Sequence, residues 1–244
     1  MAFPALIGWA LLLAPAAVPA QEGDLPEVSY PAITDRAVDA AGFVPDGWRL
    51  EQIHGGDLDD DGRDDLVLVL EMADPANRID NEGLGPDVFD TNPRMLVAAF
   101  AEDGGYRRVL SDHVLVPRPY SPTLDDFLGE TGGVEVDGGA LRVTLHMWAS
   151  AGTWFTSSTG FTFRYRDGCF RLVGYDKTGM HRASGEIETV SVNYLTRRAW
   201  RSQGSISDDG EPERTWLRMP KQPLRCLEDV GNGLGFDPGL PLSG

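Results

Sequence analysis

Residues 161–176 read FTFRYRDGCFRLVGYD, and this stretch decides the fold class. Asp167 and Gly168 stand between two alternating runs, and an Asp-Gly pair so flanked is the strongest short-range signal for a β-hairpin. The alternation puts Phe161, Phe163 and Tyr165 on one face and Thr162, Arg164 and Arg166 on the other. One dry face and one wet face is the pattern of an antiparallel sheet with a core on one side.

Working outward, the same signals recur. Residues 132–149 (GGVEVDGGALRVTLHMWA) turn at Asp137–Gly139, and residues 94–111 (RMLVAAFAEDGGYRRVLS) form a hairpin turning at Glu102–Gly105. Residues 189–196 (TVSVNYLT) and 215–219 (TWLRM) add strands. WRLEQIH (48–54) alternates loosely, whereas LVLVLE (66–71) is apolar at successive positions and reads as a central strand, buried on both faces. Three segments break the pattern. ITDRAVDAAGF (33–43) is expected to form a short N-terminal helix, capped by Thr34 and ended by Gly42. Residues 73–93, rich in Asp, Asn, Gly and Pro, are expected to form a long loop, and residues 229–244 a flexible C-terminal tail. The expectation is a mainly β protein: an antiparallel meander with one short N-terminal helix, forming a single domain over residues 21–228.

Residues 1–20 (MAFPALIGWALLLAPAAVPA) contain no ionisable side chain and end in small residues, the form of a secretory signal peptide cleaved after Ala20. Their apolar run ends near Leu13, short of the roughly 20 residues a membrane span needs. Export to the periplasm or outside the cell, without membrane insertion after cleavage, is the expectation. All 38 acidic and 21 basic residues follow Ala20, so the exported part carries the full formal charge of −17. Such a field repels nucleic acid and favours cations or basic partners. Cys169 and Cys226 are the two cysteines. In an oxidising compartment an even count suggests one disulfide, the other reading being two buried free thiols.

Residue types and spacing imply specific chemistry in one place, residues 56–69, GDLDDDGRDDLVLV. Set against a calcium loop, Asp57, Asp59 and Asp61 occupy positions one, three and five, Gly62 the sharp turn at six, and Asp65 position nine. Arg63 at position seven offers its backbone carbonyl and leaves its side chain to solvent. Hard oxygen ligands favour Ca2+ over zinc or magnesium. The other reading is a solvated acidic turn. Position twelve is Leu68 instead of a bidentate glutamate, and a strand follows instead of a helix. In this the stretch resembles the FG-GAP or VCBS-type calcium loop of integrin-like and bacterial surface proteins, in which a DxDxDGxxD segment links two strands. The resemblance implies calcium ligands at Asp57, Asp59, Asp61 and Asp65 with a carbonyl from Arg63. The motif occurs once, which argues against a multi-repeat propeller. More loosely, the chain resembles exported bacterial proteins that pair one such loop with an aromatic meander, a likeness that implies architecture and no activity.

Other candidates are weaker. His54, His113, His146 and His181 lack the local spacing of a zinc site. Trp148, Trp154 and Phe155, set among small hydroxyl residues, read either as a surface for sugar or peptide or as core and hairpin edge. No serine elbow, phosphate loop or dinucleotide fingerprint is present in the sequence. Two functions follow as expectations. The first is an exported, calcium-binding, non-catalytic protein with a binding or envelope-structural role, its partner an envelope protein or glycan. The alternative is a calcium-dependent hydrolase acting on envelope polysaccharide or peptide.

Overall fold

The computed structural model describes residues 25–129 and 133–241, so the leader expected over residues 1–20 lies outside the described residues. In chain order the strands of the first half are β1 (Arg36–Ala37), β2 (Trp48–Gly56), β3 (Asp65–Met72), β4 (Arg78–Asp80), β5 (Val88–Asp90), β6 (Arg94–Glu102) and β7 (Gly105–Asp112). Those of the second half are β8 (Val134–Asp137), β9 (Ala140–Met147), β10 (Phe155–Arg166), β11 (Cys169–His181), β12 (Glu186–Asn193), β13 (Arg198–Ser205) and β14 (Thr215–Arg218). They build a five-stranded sheet in the order β1-β7-β6-β3-β2, a seven-stranded meander from β8 to β14, and the small hairpin β4-β5. All pairings are antiparallel.

The hairpin of residues 161–176 forms as its pattern requires. Asp167 and Gly168 take φ of +50° and +86°, the left-handed pair that a two-residue turn needs to match strand twist. Phe161, Phe163, Phe170, Leu172 and Tyr175 are buried in the space between the two sheets, where they meet Val67, Val69, Leu96, Ala98 and Phe100. β3 is central, as its composition demands. Val67 and Val69 face the other sheet, while Leu68 and Leu70 face a second cluster with Ile33, Phe43 and Trp48. The N-terminal lead-in therefore acts as a cover, with Val28 and Tyr30 packed on that outer cluster.

Four segments differ from expectation in detail. The short N-terminal helix is a single 3-10 turn, Ala40–Phe43, and its cap is Asp39, whose carboxylate accepts from Gly42 N at 3.1 Å. Thr34 instead donates its hydroxyl to Arg36 O. Within this turn only Phe43 is buried, so no apolar stripe exists to hold a longer helix. Residues 73–93 are not one open loop: they hold a 3-10 turn, Pro75–Asn77, and the β4-β5 hairpin. Buried Asn77 and Asn92 bond each other there, and Arg118 reaches Asn77 Oδ1 and Thr91 O. Residues 229–241 are docked through Phe236, not loose. Val230 and Phe236 are buried, Gly233 N donates to Leu115 O at 3.1 Å, and the Phe236 ring meets Phe161 edge-on at 5.5 Å. β13 is a strand with no counterpart among the expected ones. No helix among the described residues is long and apolar enough to cross a membrane.

Candidate metal centre

β2 and β3 end on the paired residues Gly56 and Asp65, and residues 57–64 join them. Two buried side chains fix the ends of this connection. Leu58 enters the core between the sheets. Asp65, 1% exposed, accepts from Leu58 N through Oδ2 at 2.8 Å and from Ala101 N of β6 through Oδ1 at 2.9 Å. Burial pushes the Asp65 carboxyl up, and the two amide donors pull it down.

Within the frame, backbone amides arrange the remaining aspartates. Asp57 accepts from Asp61 N at 3.1 Å and from Gly62 N at 2.9 Å. Asp59 accepts from Asp61 N at 3.2 Å, and Asp61 from Arg63 N at 2.9 Å. Asp60 and Gly62 supply left-handed backbone with φ of +65° and +85°, which curls the loop back on itself. One carboxylate oxygen from each of Asp57, Asp59 and Asp61 then lies within 4.8 Å of the others, close enough to share a metal ion. Three like charges so placed repel, and a divalent cation would reverse the sign of that term.

One of the five residues expected around an ion has other work. Both oxygens of Asp65 are engaged by amides, so its carboxylate frames the loop and stands outside the converging group. The Arg63 side chain stays at solvent as expected, 48% exposed, and its Nε donates to Asp61 Oδ2 at 2.8 Å. That hydrogen bond holds the Asp61 carboxyl below the ordinary carboxylate range. An ion entering the group competes with Arg63 for Asp61.

The loop also touches the second sheet. A Cβ added to Gly139, in the β8-β9 turn, would lie 3.5 Å from Asp60 Oδ1, 3.6 Å from Asp57 O and 3.3 Å from Arg164 Nη1. The acidic loop therefore lies beside the β8-β9 turn of the other sheet.

This divides the aspartates by what their loss should do. Asp65→Ala strands the buried Leu58 amide and the Ala101 amide, and should cost about 2 kcal/mol whether or not metal is present. Asp59→Ala, at an exposed position, should cost little in chelator and matter once calcium is added. Denaturant titrations in both conditions test this, and equal behaviour of the two variants would refute the division.

The remaining candidates are dispersed. His54 bonds Gln52 at 3.1 Å on β2, His113 stacks on Tyr30, and His181 bonds Ser184. None joins the three aspartates. Trp148 and Trp154 gather on the Arg182 guanidinium, 4.7 and 5.9 Å from its carbon, while that guanidinium bonds Ala149 O and Thr153 O. Phe155, on β10, instead lies over Gly179, where a Cβ would be 2.6 Å from the ring. The three aromatics do not form one surface. Cys169 and Cys226 are joined in a disulfide.

The chain has no match among known protein families, curated proteins or solved structures. Its chemistry rests on its own geometry. One charged assembly escaped the sequence reading. Arg94, on β6, bonds Glu51 through Nε and Nη2 at 2.6 and 2.8 Å and Asp126 through Nη1 and Nη2 at 2.9 and 2.7 Å. Glu71 lies across the ladder from Arg94 on one side and from Arg49, its ion-pair partner, on the other. Burial and Glu51 push the Glu71 carboxyl up. Glu51 and Asp126 are 43 and 32 positions from Arg94, and no local spacing announces them.

Proposed function

We propose that this is an exported, calcium-binding, non-catalytic β protein with a binding or envelope-structural role, and that the ion locks the seam between its two sheets. The observation that carries the reading is the convergence of Asp57, Asp59 and Asp61 within 4.8 Å, in a loop that runs from one strand directly into another. The likeness to FG-GAP and VCBS-type loops supports calcium as the ion. Carboxylate oxygens at flexible spacing, without nitrogen or sulfur donors, support the same choice. The disulfide and the formal charge of −17 suit an oxidising, calcium-containing compartment outside the cytoplasm.

The test is a thermal melt of the protein in chelator, then titrated with calcium or magnesium, beside Asp59→Ala and Asp61→Ala. Calcium at about 100 times its dissociation constant should stabilise the wild type by about 2.7 kcal/mol. At about 2–4 °C per kcal/mol for a chain of this size, the midpoint rises by about 5–11 °C. Magnesium should do less and both variants should lose the response. A midpoint indifferent to calcium would leave the loop as a solvated acidic turn and end the proposal.

A further inference from the structure

Charge is divided unevenly along the chain. Residues 1–137 carry 27 acidic and 8 basic side chains, whereas residues 138–244 carry 11 and 13. The second group builds nearly all of the seven-stranded sheet, one face of which lies on the core. Phe161, Tyr175, Val192 and Ala199 point inward, so their strand neighbours face away from it. Register places Arg198 directly opposite Arg218 and Trp200 directly opposite Trp216 on that outer face. Like charges set opposite each other on adjacent strands destabilise a sheet. Among the described residues neither Arg198 nor Arg218 forms an ion pair, in a chain with 38 acidic side chains. The indoles are fixed in place: the Arg198 guanidinium lies 4.5 Å over the Trp216 ring and Arg214 lies 4.5 Å over Trp200. Trp216 is still 55% exposed.

Across the same face, over β9, β10 and β11, runs a trough of about 380 Å³ lined by Arg142, Thr144, Ser158, Thr162, Asp176 and Thr178. Gly160 lies within it, and Gly174 pairs with Thr162 beside it. Glycine inside a strand weakens it and often marks a place where something approaches the backbone closely. At Gly160 the fold itself does not demand glycine. A Cβ there would meet nothing nearer than 3.7 Å, and no left-handed backbone is involved.

We infer that this face binds an acidic polysaccharide, lying across the strands from the trough to the Arg198–Arg218 pair. Hydroxyls, the Asp176 carboxylate, the Arg142 guanidinium and Lys177 along the trough match the paired donors and acceptors of a sugar. The exposed Trp216 indole offers stacking, and guanidinium groups without an ion-pair partner offer bidentate bonds to a uronate carboxylate. At about 4.8 Å per strand, the five spacings from β9 to β14 span about 24 Å, a reach of several sugar units. A protein partner fits less well, because the centre of a protein interface is apolar and poor in charge. The inference rests on the binding role proposed above and not on the metal, whose loop lies on the other sheet's connection.

The test is titration calorimetry of the full chain with polygalacturonate, neutral dextran and poly-glutamate, each in calcium and in chelator. Polygalacturonate should bind in both conditions, dextran at least tenfold more weakly, and poly-glutamate not measurably. Arg198→Gln with Arg218→Gln should weaken polygalacturonate binding tenfold or more. Gly160→Val should abolish it while leaving the melting midpoint unchanged or higher, since valine suits a strand and its Cβ meets nothing nearer than 3.7 Å. Absence of polygalacturonate binding, binding indifferent to these variants, or equal binding of poly-glutamate would overturn the inference. So would sedimentation showing a dimer that the arginine variants dissolve, which would assign the face to a second copy. A chain that ignores calcium in the melt but binds polygalacturonate would sink the metal reading alone.

Discussion

Arg94→Ala should unfold with about 3–4 kcal/mol less free energy than the wild type at neutral pH, read by denaturant titration of tryptophan fluorescence. The Arg94 side chain is 7% exposed and holds two carboxylates, Glu51 and Asp126, through four hydrogen bonds. Burial opposes its charge, and the two partners more than restore it, so its pKa lies above the ordinary arginine value. Removing it leaves Glu51 beside Glu71 with only Arg49 to neutralise them. The cost falls short of the largest known for broken buried pairs because the Asp126 side chain, 47% exposed, regains water. Acid should return part of the loss. The Glu71 pKa is already raised by burial and by Glu51, and Arg94 is one of the two groups that lower it. With that guanidinium gone the folded value rises further. The stability tied to this proton is complete below the unfolded value of about 4.3 and is lost as pH rises through the folded value. The gap between variant and wild type should therefore narrow from pH 7 toward pH 5. Arg94→Lys, which keeps the charge but cannot fork between two carboxylates, should recover only part. A loss under about 1 kcal/mol, or a gap that does not narrow in acid, would refute this account.

The parts of the fold that the sequence disclosed are those in which local pattern and tertiary role coincide. The Asp167–Gly168 turn carries its own backbone requirement, and the run LVLVL is apolar at every position because β3 is covered on both sides. β13 shows the opposite case. Its inward side holds buried Ala199 and half-buried Arg201, while its outward side holds Trp200 and Ser202, so no dry-wet alternation survives. It is a strand because β12 and β14 pair with it on either side. Gly and Pro around Phe236 suggested a loose tail, yet small residues let the backbone lie close: a Cβ on Gly233 would be 2.5 Å from Leu145 Cδ1. At the loop, the convergence of Asp57, Asp59 and Asp61 follows from alternate spacing. The orientation of Asp65 does not, because the amide of Ala101, 36 positions away, decides it.

Replacing both Cys169 and Cys226 by alanine should lower the stability by about 4 kcal/mol, which at about 2–4 °C per kcal/mol is a fall of about 8–16 °C in midpoint. The bond closes a loop of 57 residues, long enough for cross-linking to remove much of the unfolded chain's freedom. It stands just past the Asp167–Gly168 turn, where the returning segment is otherwise held by few contacts. Leu172 N donates to Arg225 O at 2.9 Å, Arg171 Nη1 to Leu224 O at 3.0 Å, and Arg171 bridges Cys226. Beyond it Leu227, Val230 and Phe236 close one end of the core against Phe161 and Tyr175. Without the bond, the entropy of placing this segment falls on those apolar contacts alone. Detachment from Lys221 onward should then precede global unfolding, so trypsin should cut after Lys221 or Arg225 at temperatures where the sheets still hold their circular dichroism. Reduction of the wild type should reproduce both the lower midpoint and the cleavage. If the double variant instead melts within about 2 °C of the wild type and resists trypsin, then packing by Leu227, Val230 and Phe236 is sufficient. The disulfide would in that case act on the unfolded chain too little to matter.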